Sequence, residues 1–534
     1  MANYSGTMTG WAATLLKDLF NVEFNIIPVT DGTWETRVES GDLGDLVIFG
    51  SVGEYFQTAV ENNLLFCWDD EDLLSNYGSY IEANYPDALE RSREAAGDGN
   101  LYGIPNQVAT KAGIGEFSYA WELRWDLYKE LGYPEINTLD DLLQVLIDMK
   151  ALEPTDDNGN PTYALSLFGD WDGNGPLMFA TCLVTMLYGV DHDILKLGTY
   201  DYTTDTYTGY LEGGSPYIEA LRFLNQLYQN DLIDPDSMTN TWAEFEAKAQ
   251  AGGTLFAEQA FMGSEKYNTE AHMSEGKYMA SIQPGSVTNY VDEVSTSGSS
   301  YLWAIGGNCE YPELVMQIIN WLYTPEGMMT NNAGLRGLMW DYDENGNTVL
   351  TDVGLACMSD GSYDLSGTEW TSPYTGETYT LNNTYVDGSC QWNSQTMSPY
   401  VNNPDSVEGE TFSKKTWTSY IDATMDYDIV HDWQETTGYE TQQAYLADQA
   451  YNIKPAAANN FIMDEGSTEL KLVVEQVSGS INKYSWQAIY AASDAEFDSI
   501  IDTMQSECAA YGYDQILEWY RGQAEILAET IAAG

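Results

Sequence analysis

An α/β architecture spread over more than one domain is what this sequence predicts, on three observations. Helical and strand periods alternate between Trp11 and Glu61, the mark of a largely parallel sheet with helices on its faces. The stretch from Gly99 to Lys150 reads as an extended crossing segment, Tyr102 to Gly115, that leads into a pair of helices. The length of 534 residues exceeds what one hydrophobic core serves, so two or more domains are expected.

Taken in order, Trp11 to Phe20 carries apolar residues at helical spacing, and Val22 to Val29 reads as a strand. A short helix around Trp34 to Val38 leads to an apolar strand, Asp45 to Phe49, and then to a helix from Glu54 to Glu61. Ligands of such sheets bind beyond the carboxyl ends of the strands, so the loops at residues 3–6, 30–34 and 50–53 are expected to face a cleft. After the crossing segment, Trp121, Leu123, Trp125, Leu127, Tyr128 and Leu131 predict one helix, stopped by Gly132-Tyr133-Pro134. Thr138 then caps a second helix, with Asp141 in the capping-box place.

Helices are predicted at Met178 to Tyr188, Pro216 to Asn230 and Trp242 to Ala251. Lys277 to Pro284 and Tyr301 to Gly306 read as strands, and Tyr311 to Tyr323 as a helix ended by Pro325. Asn158-Gly159 and Asn345-Gly346 mark two small hairpins. Residues 359–412 are rich in Gly, Ser, Thr, Asn and Tyr and read as a loop-bearing elaboration. Helices close the chain at Ser413 to Met425, Tyr439 to Ala450, Asp494 to Tyr511 and Asp514 to Ala533.

Composition excludes several functions. Lys and Arg number 20 against 83 Asp and Glu, a formal charge of −63 that repels phosphate backbones and anionic lipid. Disorder is the other usual reading of such acidity, but 43% hydrophobic and 13% aromatic residues argue for packed domains. Six cysteines are too sparse for a disulfide scaffold and form no CxxC pair; Cys357 and Cys390 are left open as a bridge. No apolar run approaches the roughly 20 residues that span a bilayer. The three histidines, His192, His272 and His431, have no partner histidine at metal spacing, and no nucleophile elbow, P-loop or dinucleotide fingerprint is found. Asp170-Trp-Asp-Gly-Asn-Gly175 copies the first half of a calcium loop, yet Thr181 stands where the bidentate glutamate belongs, so no metal or cofactor is expected.

The run Tyr102-Gly-Ile-Pro105, followed by Leu123-Arg-Trp-Asp-Leu-Tyr-Lys-Glu-Leu-Gly-Tyr-Pro134, resembles the cluster 1 extracellular solute-binding proteins of carbohydrate ABC transporters. Further matches are Gly41-Asp-Leu-Gly-Asp-Leu-Val-Ile48, Trp171-Asp-Gly-Asn174, Asn320-Trp-Leu-Tyr-Thr-Pro-Glu-Gly327 and Gly337-Leu-Met-Trp-Asp-Tyr342. The resemblance implies a two-lobed periplasmic-binding-protein type II fold with hinge strands and a C-terminal helical part. On that reading residues 1–112 and 277–335 form the first lobe, and 113–276 with 336–534 a helix-rich second one. It implies an extracellular receptor, monomeric, that holds an oligosaccharide in the interlobe cleft and delivers it to a membrane permease. Members are exported and, in Gram-positive bacteria, commonly lipid-anchored at the outer face of the cell membrane, so a signal and anchor are expected in a longer precursor. The family's usual first strand is not found before Asn3, a departure from its pattern.

The residue chemistry points the same way. Sixteen Trp and 39 Tyr exceed what packing comfortably explains, and many stand in loops beside amides and carboxylates. A pyranose offers C–H faces on which a ring can stack and a rim of hydroxyls for hydrogen bonds. Candidate ligand contacts are Tyr4, Trp34, Asn106, Gln107, Trp171, Asp172, Asn174, Trp303, Trp340, Asp341, Trp392 and Asn393. Trp121, Trp125, Trp321 and Trp519 are assigned to packing. A secreted glycoside-acting enzyme and a surface carbohydrate adhesin remain as alternatives, because 83 acids always supply some pair of carboxylates.

Overall fold

The computed structural model describes residues 4–29, 32–173, 175–299, 301–391, 396–407, 409–464 and 466–533. The chain forms two units, one of residues 1–114 with 293–425, the other of residues 115–292 with 426–534, so it passes between them three times. The strand Asn289–Val294 carries one passage: its start pairs in parallel with Tyr451–Lys454, and its end pairs antiparallel with Gly113–Ile114.

In the first unit the strand Leu302–Ile305 lies between Leu46–Phe49 and Gly103–Pro105, antiparallel to both. All four of its residues are buried, and their alternation divides the core in two. Leu302 and Ala304 join Phe49, Phe56 and Ala59 on one side. Trp303 and Ile305 join Trp11, Trp68 and Tyr323 on the other.

That second cluster also takes in Trp340, Cys357, Leu365, Trp370, Leu381, Phe412 and Trp417. Residues 336–425 therefore belong with the first unit, where the sequence reading placed them in the second lobe. The elaboration is pinned to the first helix, Trp11–Phe20, because the Trp11 Nε1–H donates to the Tyr385 carbonyl at 2.9 Å and the two rings stack at 5.8 Å. Gly10, at φ 92°, sits so near Gly388 that a Cβ would lie 2.3 Å from its Cα. A side chain there would break the seam.

In the second unit the strand Tyr119–Arg124 lies between Met279–Ile282 and Phe256–Gln259. The sequence reading ran a helix through this stretch. Its residues 120–124 are all buried, and a strand covered on both faces loses the alternation that would betray it. Helix begins only at Trp125–Glu130. The strand Lys277 to Pro284, read as a return to the first lobe, instead pairs in this sheet through Met279–Ile282. The Thr138 capping box is formed as expected and starts Leu139–Leu152.

Helix Met178–Tyr188 packs on the sheet and Pro216–Gln229 packs on that helix, with Trp242–Gln250, Thr468–Ile489, Asp494–Tyr511 and Tyr513–Ala533 completing the unit. The 22-residue helix Thr468–Ile489 was not expected. Its Val473, Val474, Ser478, Gly479 and Ser480 are weak helix formers, so tertiary packing and the Ser467 cap hold it. Asn225 clamps its far end by donating to the carbonyls of Ile489 and Ala491, at 2.9 and 2.8 Å.

Both expected Asn-Gly turns form. Asp343 Oδ1 accepts from the backbone N–H of Asn345 and Asn347, and Asp156 does the same for Asn158 and Asn160. All six cysteines are free, so Cys357 and Cys390 are unbridged. Among the described residues no helix is long and apolar enough to cross a membrane.

One buried acid stands out. Glu258, on Phe256–Gln259, is 1% exposed, and neither carboxyl oxygen has a hydrogen-bond partner among the described residues. Burial pushes its carboxyl well above the usual value of 4.5. Because the folded value is raised, the neutral acid is favoured in the fold, and stability falls as pH climbs from the unfolded value toward the folded one. Denaturant unfolding across pH 5 to 9 should show Glu258→Gln gaining on the parent by up to about tenfold in unfolding constant per pH unit within that window. Parallel profiles would mean that Glu258 is charged or paired in the fold.

Candidate functional site

The exposed aromatic surface of the second unit is built on the loop that follows residues 163–168. Phe168 is fully buried and touches Phe179, Phe245 and Trp242 with ring centroids 5.2–5.4 Å away, fixing the root of the loop. Three residues on, Trp171 is 49% exposed. Its ring stacks on Trp242 at 4.7 Å and 26°, stands edge-on to Phe168 at 4.9 Å, and lies 6.0 Å from Phe261. Trp242 and Phe261 are themselves only partly buried. An indole so exposed, yet held by a second indole, presents a flat apolar face of fixed orientation.

Two carboxylates hold the loop. Asp170 Oδ2 accepts from the Trp242 N–H at 2.8 Å, at the first residue of Trp242–Gln250, where the helix dipole favours negative charge. Its other oxygen has no hydrogen-bond partner among the described residues. Asp172 Oδ1 accepts from the Met178 N–H at 2.9 Å, and its Oδ2 accepts from Asn482 Nδ2 and Trp486 Nε1, both at 3.2 Å. Burial raises the Asp172 carboxyl, and the three donors oppose the rise. Two of the calcium-loop pattern's acids, Asp170 and Asp172, thus accept from protein N–H groups. Among the described residues no cluster of His, Cys, Asp and Glu could hold a metal ion.

The first unit carries a smaller counterpart. Trp34 stacks on Tyr55 at 4.5 Å and 22°, backed edge-on by Phe49, and Tyr55 is 48% exposed. Trp34 belongs to the helix Thr33–Ser40 and Tyr55 to Glu54–Glu61, so two short helices present one face.

The other expected residues divide sharply. Trp303 and Trp340 are 0% exposed; Trp303 lies in the central strand, and Trp340 Nε1–H donates to the Gly334 carbonyl at 2.8 Å. They are core residues and leave the candidate set. Asp341, in the strand Trp340–Tyr342, accepts from Arg336 Nε and from the Tyr342 N–H, each at 2.9 Å. Asn106 is 2% exposed and ties its strand to the loop 295–301 through Ser299 and Tyr301. Gln107 is exposed, at φ 50°. Tyr4 is partly buried, its hydroxyl donating to the Thr7 carbonyl at 2.8 Å. Asn174, Trp392 and Asn393 lie outside the described residues.

Sequence reasoning missed Trp242, Phe261 and Tyr55. Each follows a helix start or a strand end, and Trp242 directly follows the capping residue Thr241, a position that leaves a ring at the rim. Two of the three histidines serve structure: His272 hydrogen-bonds Asp157 and the Tyr267 carbonyl, each at 2.5 Å, and His192 the Thr185 hydroxyl at 2.7 Å.

Trp303→Phe should lower stability by about 1–3 kcal/mol, the order of cost for repacking a filled core, while leaving any ligand affinity unchanged. Paired denaturation and titration measurements check this; a loss of affinity with stability intact would return Trp303 to the site.

No protein-family model matches the chain. Over 185 residues it is 27% identical to the fructooligosaccharide ABC transporter substrate-binding protein FusA of Streptococcus pneumoniae, a match covering 33% of this chain and 32% of that protein. The matched part thus spans about a third of that relative's length. The solved structure of FusA in complex with kestose superposes with a TM-score of 0.56 at 16% identity, covering 98% of this chain and 95% of that one. An extracellular solute-binding protein from Bifidobacterium longum subsp. infantis gives 0.59 at 14% identity, covering 96% and 94%. The alginate-binding protein AlgQ2 gives 0.57 at 16%, covering 97% and 94%. At these identities the likeness is one of fold, and the expected two-domain α/β solute-binding fold with a C-terminal helical part is borne out.

Proposed function

We propose that this chain, built on the fold of carbohydrate ABC-transporter solute-binding proteins, is the extracellular substrate-binding component of an ABC importer and takes a neutral oligosaccharide as its ligand. The observation that carries the reading is the solvent-facing Trp171 ring, stacked on Trp242 and fixed by Asp170 and Asp172. One sugar ring lies flat on the indole, and its hydroxyls hydrogen-bond polar groups of the loop. The first unit carries a stacked pair of its own, Trp34 on Tyr55.

The charge supports a neutral ligand. A field of −63 repels anionic sugars and gives nothing to uncharged ones, so affinity comes from stacking and hydrogen bonds. Of the ligands named for similar proteins, fructooligosaccharide and kestose are uncharged, whereas alginate is anionic, so the preference for a neutral ligand rests on this chain's own charge. The ligand is released unaltered to a permease at the outer membrane face, with the receptor monomeric and tethered there by a lipid anchor.

Calorimetric titration against a panel of neutral oligosaccharides tests the proposal. Trp171→Ala should weaken the best ligand by about two- to tenfold, the worth of one aromatic contact. Unchanged affinity in that variant would contradict the assignment. Chromatography of the ligand after long incubation should return it intact; released product would make the protein an enzyme.

A further inference from the structure

Trp242, the ring on which Trp171 stacks, is itself held from a third element. The Lys266 Nζ lies over the Trp242 ring, 5.4 Å from its centroid. The same ammonium pairs with Glu246 Oε1 at 2.6 Å. Glu246 stands four residues after Trp242 on Trp242–Gln250, so carboxylate and indole share one helix face a turn apart. Lys266 belongs to the short helix Ser264–Tyr267 and reaches both. The backbone N–H of Trp242 is fixed by Asp170, but its Nε1 has no hydrogen-bond partner among the described residues, so the ring takes its orientation from what lies against it.

The backbone beneath Lys266 is anchored. Ser264 donates twice to the Glu122 carboxylate, from its N–H at 2.6 Å and from its hydroxyl at 2.8 Å, and Glu122 is 1% exposed in the strand Tyr119–Arg124. Gly263 permits this approach, because a Cβ there would lie 2.4 Å from Glu122 Oε2 and 2.7 Å from the Ala257 Cβ. Phe261, the third ring of the face, precedes Gly263 by two residues and leaves the same segment. The ammonium therefore meets the indole from a root that the sheet holds in place.

We infer that Lys266 is a positioning residue of the binding face: anchored on Glu246, its ammonium holds the Trp242 ring in the plane on which Trp171 stacks, and so sets sugar affinity without touching the sugar. The inference rests on the role proposed above for the Trp171 face. With side chains 24% and 32% exposed, the Lys266–Glu246 pair contributes little to folding by itself. What the charge adds is direction. A cation is drawn to the centre of an indole face, whereas an apolar chain of the same length packs against any part of it. The short charge-assisted bond to Glu246 fixes where that cation sits.

The test uses the full chain labelled with 5-fluorotryptophan, with the Trp171 and Trp242 resonances assigned by Trp171→Phe and Trp242→Phe. Lys266→Met keeps the apolar stem and removes the charge; Lys266→Arg keeps the charge. In the free protein Lys266→Met should move both resonances, and Lys266→Arg should return that of Trp171 toward its position in the parent. Maltotriose, cellotriose and raffinose are then titrated by calorimetry. For the trisaccharide that binds best, Lys266→Met should weaken binding by about two- to fivefold, the worth of one cation–π contact near the surface, and Lys266→Arg should restore it. Denaturant midpoints of the three proteins should agree, which separates positioning from a general loss of structure. A Trp171 resonance unmoved by Lys266→Met, or Met and Arg variants of equal affinity, would overturn the inference while Trp171→Ala still weakens binding. Trp171→Ala without effect would instead overturn the binding face itself, and this role with it.

Discussion

The Asp172 carboxylate is the constraint on which the proposed binding face depends. Partly buried, it could not be left without partners, and its three donors come from the start of Met178–Tyr188 and from two successive turns of Thr468–Ile489. One side chain thereby joins the loop to two helices far apart in the chain. Tyr217 reinforces the junction, its hydroxyl accepting from the Leu177 N–H and bonding the Ser485 hydroxyl. With Asp172 fixed on one side and Asp170 on the other, Trp171 has little freedom to fold inward, and a large ring stays in water where a ligand can reach it. Such preorganisation reduces the entropy lost on binding.

Abundance of tryptophan does not by itself mark a sugar site. Trp11, Trp68, Trp125, Trp303, Trp340, Trp370, Trp417 and Trp433 are all fully buried, so a large share of the sixteen serves packing. What separates Trp171 is exposure combined with a stacked neighbour. A core indole is fully buried, whereas this one is half exposed.

The sequence was most informative where local chemistry decides structure. The Thr138 capping box, the two Asn-Gly turns and the helices at Met178, Pro216 and Trp242 depend on caps, turn geometry and periodicity within a few residues. Tyr119–Arg124 and Thr468–Ile489 were illegible for a shared reason: burial on all sides and tertiary contact override local preference, turning an apparent helix into a strand and a weak one into the longest described. Residues 336–425, which include the elaboration 359–412, were misplaced because their allegiance rests on Trp340, Trp370, Phe412 and Trp417 entering a core begun at Trp11, a pairing no local pattern reveals. In the candidate site, Trp171 and Asp172 were legible from a loop rich in Asp, Asn and Gly. Trp242, Phe261 and Tyr55 were not, since each reaches the surface from a regular element whose rim only the fold defines.

Oxidative footprinting with mass spectrometry tests the central claim most directly, because it reads the exposure of individual rings with and without sugar. At saturation with an oligosaccharide that binds, Trp171 oxidation should fall several-fold while exposed Tyr311, outside both aromatic faces, reacts as before. Trp171 oxidising equally fast in the free and the saturated protein would contradict the account.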